Sequence, residues 1–341
     1  MIQRLLRSRW LYVGLVALLI LLYGRALRAR ATMPLELREA PAQARELTWL
    51  PKELDASTVQ RVAEQDPGLA ILLSLFSIVV AGFAICGLAL TAWSLRPGQA
   101  PRSVARRITP WSFGEVGRIT ALTLVVAGLL PFARLGATSY RLSEPFDPHV
   151  WVVGSMLFLD AFVILAILAF ASGKRAAFGL STRRVPAVLL EALRGYLAAF
   201  PWLFLLLFIV VEAVRRLGWT PPAEPIQELI FGEDRPGVLG LTVFLACVVG
   251  PLAEELFFRG VLYGAIRRRA SRLMATLASG AAFALLHMNP VGFLPIMALG
   301  CLLASLYERT GSLLAPLAVH ILHNTILMGF ALMLRRVLTY A

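Results

Sequence analysis

Apolar runs about twenty residues long recur along this chain, and they limit what it can fold into more than any other feature. A bilayer core of ~30 Å takes about 20 apolar residues of helix, since each residue rises about 1.5 Å. Runs of that kind fall at 10–23, 69–93, 119–132, 150–171, 196–214, 236–258, 273–287, 291–307 and 311–334. The first and third are short, so the expectation is eight or nine spans. Strands are excluded as the spanning element, because a lipid-exposed sheet edge leaves its backbone groups unsatisfied. The fold class is therefore all-α: a polytopic transmembrane helical bundle. Hydrophobic residues make up 58% of the 341 positions, and they are gathered in blocks.

A net charge of +13 in a soluble protein would suggest nucleic acid as partner. Here the bases sit in short loops between apolar runs, which the positive-inside rule explains without one. Arg96, Arg102, Arg106, Arg107 and Arg118 mark one cytoplasmic loop. Lys174, Arg175, Arg183 and Arg184 mark a second, and Arg267, Arg268, Arg269 and Arg272 a third. The segment 31–67 holds seven acids against four bases and belongs on the opposite side. Arg4, Arg7 and Arg9 place the N-terminus in the cytoplasm, and all these assignments alternate consistently. Cys86, Cys247 and Cys301 lie inside apolar runs, with no spacing for a metal knuckle or disulfide framework.

Three regions follow. Residues 1–67 form an N-terminal anchor helix and an extramembrane loop, with a short amphipathic helix at 55–65. Ala29-Arg30-Ala31 looks like a cleavage site, but the surrounding arginines favour a retained anchor. Residues 68–235 are transmembrane helices without readable chemistry. Residues 236–334 follow a Pro-rich, acidic break and hold most of the polar residues embedded in apolar context.

An ionisable residue in hydrocarbon is costly, so each one is a functional hypothesis. The run Pro251-Leu-Ala-Glu254-Glu255-Leu-Phe-Phe-Arg259 puts two carboxylates mid-span. Glu255 and Arg259 share a face at i,i+4 and read as an ion pair. Glu254, about 100° round the helix, is left over as an unpaired carboxylate suited to acid–base work. Phe283-Ala-Leu-Leu-His287 and His320-Ile-Leu-His323-Asn324 complete the cluster. A helical hairpin about the 267–272 turn would bring Glu254 and His287 to similar depth, roughly 20–24 Å from that turn. His320 and Asn324, at i,i+4, point the same way. Glu254 and His287 could then hold and deprotonate a water, while His320 and Asn324 donate to the oxyanion formed on a peptide carbonyl. Ser312 reads as a turn and helix N-cap. Asp160 and the Glu191/Arg194 pair take the plain reading, pairing across helices or facing the cavity. Glu212 near Arg215 and Arg216 needs only snorkelling.

The Glu254-Glu255-x-x-x-Arg259, Phe283-x-x-x-His287 and His320-x-x-x-Asn324 set resembles the CAAX protease and bacteriocin-processing (Abi) family of intramembrane glutamic endopeptidases. The likeness covers roughly 236–330 and extends into Tyr-Glu-Arg-Thr-Gly-Ser-Leu-Leu-Ala-Pro-Leu-Ala-Val-His. It implies a helical bundle around a polar catalytic cavity, with Glu254 as the water-activating glutamate and His287 as its partner. It implies His320 and Asn324 as the oxyanion hole, with Glu255 and Arg259 as supports. The substrate so implied is a membrane-associated protein or peptide, with no cofactor. The Arg- and Ala-rich composition points to a bacterial cytoplasmic (inner) membrane, where prenylated substrates are not expected.

Three alternatives stay open on the residues. Glu254, His320 and His323 could form a two-His, one-carboxylate zinc site and make a metallopeptidase. The polar cluster could instead fix helix packing in a non-catalytic scaffold or immunity protein. A transporter would use buried Glu and His as a proton relay, but shows no inverted repeat here.

Overall fold

The structure is a computed structural model that describes residues 8–32, 56–94, 110–139, 147–171, 178–179, 185–219 and 225–340. All regular structure among them is helical. In chain order the helices are α1 (Arg9–Thr32), α2 (Ala56–Gln65), α3 (Pro67–Ser94), α4 (Phe113–Ser139), α5 (Pro148–Phe170) and α6 (Val185–Arg216). They continue with α7 (Pro225–Gly232), α8 (Pro236–Arg267), α9 (Arg272–Leu286), α10 (Phe293–Thr310) and α11 (Leu314–Val337). The amphipathic helix expected at 55–65 is α2. Much of the 31–67 loop and most of the basic loop residues before 185 lie outside the described residues.

Six helices among the described residues are long and apolar enough to cross a bilayer: α3, α4, α5, α6, α8 and α11. The expected eight or nine included the runs 273–287 and 291–307, which form the hairpin of α9 and α10. Helix α9 has 15 residues and rises only about 22 Å, short of a ~30 Å core. Helix α10 spends its last turn on Tyr307, Glu308 and Arg309. The first run lies in α1, whose C-terminal turns carry Arg25, Arg28 and Arg30.

Large apolar side chains on α3, α5 and α6, among them Leu72, Ile78, Leu165 and Phe208, stay exposed, as lipid-facing surfaces do. The core lies within the C-terminal third and on its borders with α4, α5 and α6. Tyr196 and Phe200 of α6 bury against Leu299, Leu303 and Leu306 of α10 and Val319 of α11. Helices α9 and α10 approach closely through glycines: a Cβ on Gly280 would sit 2.6 Å from Cys301 Sγ and 3.0 Å from the Met297 carbonyl oxygen.

The helix ends sort as the alternating charge pattern expects. At one end Arg268 donates to the Trp111 carbonyl at 3.0 Å, Arg269 covers the Phe113 ring, and Arg267 and Tyr263 both reach Glu308. Glu191 pairs there with Arg309, not with Arg194. At the other end Arg235 joins Asp147 and Glu233, and Arg336 joins Asp66 at 2.7 Å. Glu212, at the end of α6, pairs with Arg215 and Arg216.

Candidate active site

The helix that carries Glu254 is not regular. Proline at 251 lacks an N–H and its ring conflicts with the carbonyl four residues back. The helix widens ahead of it into a π turn over Leu245–Val249, and the Gly250 N–H bonds to the Leu245 carbonyl. The Ala246 carbonyl is then bypassed, since the next residue that could reach it is the proline. Asn324 of α11 supplies the missing donor, with Nδ2 at 2.9 Å from that oxygen. After a short α-helical stretch, Gly250–Glu255, a second π segment runs over Leu256–Tyr263. The two glutamates thus sit between two widened stretches of one spanning helix, and such interruptions concentrate at functional sites.

Glu255 and Arg259 are sealed, at 1% and 0% side-chain exposure, with Arg259 Nη1 2.6 Å from Glu255 Oε1. Arg259 Nη2 also donates to the Gly300 carbonyl at 3.0 Å. Glu254 keeps 25% of its side chain exposed, so of the two carboxylates it is the one that water can reach. The fully buried pair fixes the helix, and the leftover carboxylate is the more exposed of the two.

His320, buried on α11, lies between them. Its Nδ1 is 2.8 Å from Glu255 Oε1, and its Nε2 is 3.7 Å from Glu254 Oε2. An ionised carboxylate only accepts, so Nδ1 carries the hydrogen in that bond. This carboxylate–imidazole contact orients the ring and aims Nε2 at Glu254, as an orienting acid does in other hydrolytic sites.

His287 follows the last residue of α9 and is exposed. Its Nδ1 lies 2.9 Å from the Phe283 carbonyl oxygen, which accepts, so Nε2 is left as the basic nitrogen. No hydrogen bond joins it to Glu254 among the described residues. The link between them is Phe283, whose ring packs on His287 at 4.7 Å, on His320 at 5.6 Å, and under the Arg259 guanidinium at 4.6 Å. Phe283 thus forms one wall shared by three of the polar groups.

His323 turns elsewhere. Its Nδ1 is 3.1 Å from the Tyr196 hydroxyl and its ring stacks edge-on to that tyrosine. Glu254, His320 and His323 do not converge on a common point. The one described trio whose ligand atoms lie within 4.8 Å of one another is Asp147, His149 and Glu233, at the far end of α5. Arg235 already bridges its two carboxylates, at 2.8 Å from Asp147 and 2.6 Å from Glu233. That guanidinium, with the backbone N–H of Arg235, holds the Glu233 carboxyl far below the usual carboxylate range, and it lowers Asp147 as well.

The sequence did not single out three features of the site. The π turns were implicit in Pro251 within an apolar run. The Ala246 carbonyl has no side-chain signature. Asp160 of α5, read only as a packing residue or cavity lining, comes up beside Gly250: its Oδ2 is 3.7 Å from where a Cβ at 250 would stand. Ser312, expected as the N-cap of α11, lies one residue before that position, which Leu313 holds, and its hydroxyl oxygen accepts from the Leu314 N–H at 3.3 Å.

Comparison with known proteins falls on this same stretch. Residues 236–326 match the family model described as type II CAAX prenyl endopeptidase Rce1-like. The protein named "Putative membrane peptidase YdiL" of Bacillus subtilis (strain 168) is 32% identical over 85 residues, covering 25% of this chain and 35% of that protein. The membrane-embedded CAAX protease MroQ of Staphylococcus aureus (strain USA300) is 32% identical over 98 residues, covering 27% of this chain and 39% of that protein. The chain therefore spans little more than a third of the length of either relative. No solved structure matches it at comparable stringency. The matched segment contains Glu254, Glu255, Arg259, His287, His320 and Asn324, and over residues 236–326 the chain is similar to the Rce1-like CAAX proteases.

Proposed function

We propose that the chain is a membrane-embedded endopeptidase that hydrolyses a peptide bond of a membrane-associated protein or peptide, using water activated by Glu254. The observation that carries this reading is the contrast between the two adjacent carboxylates: Glu255 is sealed and paired, while Glu254 stays accessible beside a histidine. In this reaction Glu254 takes a proton from water and the oxygen attacks the carbonyl carbon. His287, with Nε2 unoccupied by the Phe283 carbonyl, helps to hold that water. With a hydrogen on both ring nitrogens, His320 donates to the oxyanion through Nε2 while Nδ1 stays on Glu255; the second N–H of the Asn324 amide donates as well, the first being used on Ala246. Glu255 and Arg259 hold His320 and the helix in place. The low dielectric around the site strengthens each of these interactions.

The chemistry proposed needs no resident metal, and the orientation of His323 toward Tyr196 favours it over the zinc alternative. Full activity after exhaustive chelation is the expected result, and loss of activity restored by zinc would favour the metallopeptidase. We place the enzyme in a bacterial cytoplasmic membrane. The test in cells compares amino- and carboxyl-terminal peptides of membrane proteins among strains that lack the gene or carry wild type or Glu254→Gln. New termini that need wild type and are absent with Glu254→Gln support the reading. A Glu254→Gln strain indistinguishable from wild type favours a non-catalytic scaffold.

A further inference from the structure

The α9–α10 hairpin turns back inside the membrane. Helix α9 rises about 22 Å from the basic turns, so the tip lies past the middle of a ~30 Å core. Glu254 stands about 20 Å from the same end along α8. The hairpin packs on the Leu256–Tyr263 stretch of α8 and on α6 and α11. The part of α8 before Gly250 packs instead on α5, α7 and α11.

The tip, residues 287–292, is irregular backbone. Met288 is 86% exposed, and His287 and Pro290 are exposed beside it. Met288 also takes a φ of 50°, in the left-handed region that non-glycine residues seldom enter. Pro290 has no N–H to offer the Leu286 carbonyl four positions back. At membrane depth such backbone persists only where protein buries it or where it lines a water-filled cavity. Protein does not bury this tip, so water reaches it. The way from the basic turns is shut. Phe258, Val261 and Tyr263, on that side of Glu254, are buried at 3%, 0% and 1%. Trp111, Phe178 and Leu313 pack in the same cluster as Val261 and Tyr263. A Cβ at Gly260 would stand 2.9 Å from the Phe178 ring.

We propose that the site opens over the α9–α10 tip toward the side opposite the basic turns, and that its substrates are membrane proteins whose cleaved segment lies on that side. The choice of substrate rests on the peptidase reading above, whereas the opening is a property of the fold. Basic turns mark the cytoplasmic face, so the cleaved segment is extracytoplasmic and follows the end of an apolar span. Leu285, Leu286 and Leu294, exposed around the tip, give that span an apolar surface next to His287. A cytoplasmic tail would have to pass the sealed turns of α8.

Two measurements on the full-length protein test this. In the first, Met288→Cys and Arg269→Cys are each placed in a chain carrying Cys86→Ala, Cys247→Ala and Cys301→Ala. Spheroplasts expressing them are treated with a membrane-impermeant maleimide, and unfolding midpoints confirm that the variants fold. Met288→Cys should be labelled in closed spheroplasts, and Arg269→Cys only after lysis. Labelling of Met288→Cys only after lysis, no labelling of it at all, or labelling of both cysteines in closed spheroplasts overturns the proposal. The second measurement uses no cysteine variant. Termini of membrane proteins that appear with wild type and not with Glu254→Gln are placed on the topology of each protein. They should gather at the extracytoplasmic ends of spans, and termini in cytoplasmic segments overturn the substrate assignment. If wild type and Glu254→Gln give the same termini, the peptidase reading itself fails, and the labelling alone still decides on which side the site opens.

Discussion

Glu254 and Glu255 are neighbours with opposite fates, and the difference is one of rotation. About 100° of helix turn carries Glu255 against Arg259 and His320 and leaves Glu254 on the open side. Spacing alone disclosed the Glu255–Arg259 pair, since i,i+4 residues share a face. Spacing could not disclose that the same Glu255 oxygen also receives His320, because that contact crosses 65 positions of chain. Removing one partner of a sealed pair strands the other charge. Arg259→Met should therefore cost about 3–5 kcal/mol of stability, read as unfolding in detergent against denaturant. Asn324→Leu should cost about 1–3 kcal/mol by orphaning the Ala246 carbonyl, and it should also lower the cleavage rate. Wild-type stability in the Asn324→Leu protein would mean that the carbonyl finds another donor.

At the scale of helices, hydropathy located the elements well and their lengths less well. The runs at 69–93, 150–171 and 311–334 correspond closely to α3, α5 and α11. The expectation of a full span at 273–287 rests on apolar composition, which does not register rise, and α9 has only 15 residues. The run 236–258 proved to be the first part of a helix that continues to Arg267 through two π segments. Periodicity at 3.6 residues per turn has no way to register such widening, although Gly250-Pro251 marks where the hydrogen-bond ladder must slip. The α9–α10 hairpin depends on the absence of side chains at its crossing. Gly280→Val would drive a Cβ against Cys301 and the Met297 carbonyl, an overpacking penalty of about 1–3 kcal/mol. A thermal melt of the variant reads this, and an unchanged midpoint would show that the hairpin can open without loss.

Across the whole molecule, the two ends are tied by different clamps. At the end opposite the basic turns, Asp147 and Glu233 share Arg235, which links the start of α5 to the start of α8. Hydrogen bonds from Arg235, helped on Asp147 by the N-terminal N–H groups of α5, hold both carboxyls below the usual range. Their folded values are depressed, so the unfolded chain binds more protons as the medium acidifies. Their contribution is present above about pH 5 and is lost as pH falls below about 4 toward the folded values. Unfolding midpoints measured from about pH 7 to about pH 3 should fall along that window, and Arg235→Met should flatten the fall. Positive-inside reasoning foresaw which ends gather together, because charge sorts by membrane side. It did not foresee the clamp, since Asp147 lies 88 positions from Arg235 and nothing in the sequence marks the two as neighbours.

The central claim is that one accessible glutamate in a spanning helix activates water for peptide hydrolysis. It is tested most directly by purified full-length wild-type and Glu254→Gln protein in vesicles, each incubated with membrane fractions from cells lacking the gene. New protein termini should appear with wild type alone, from two preparations with the same unfolding midpoint. Termini produced at equal rates by both proteins would contradict it.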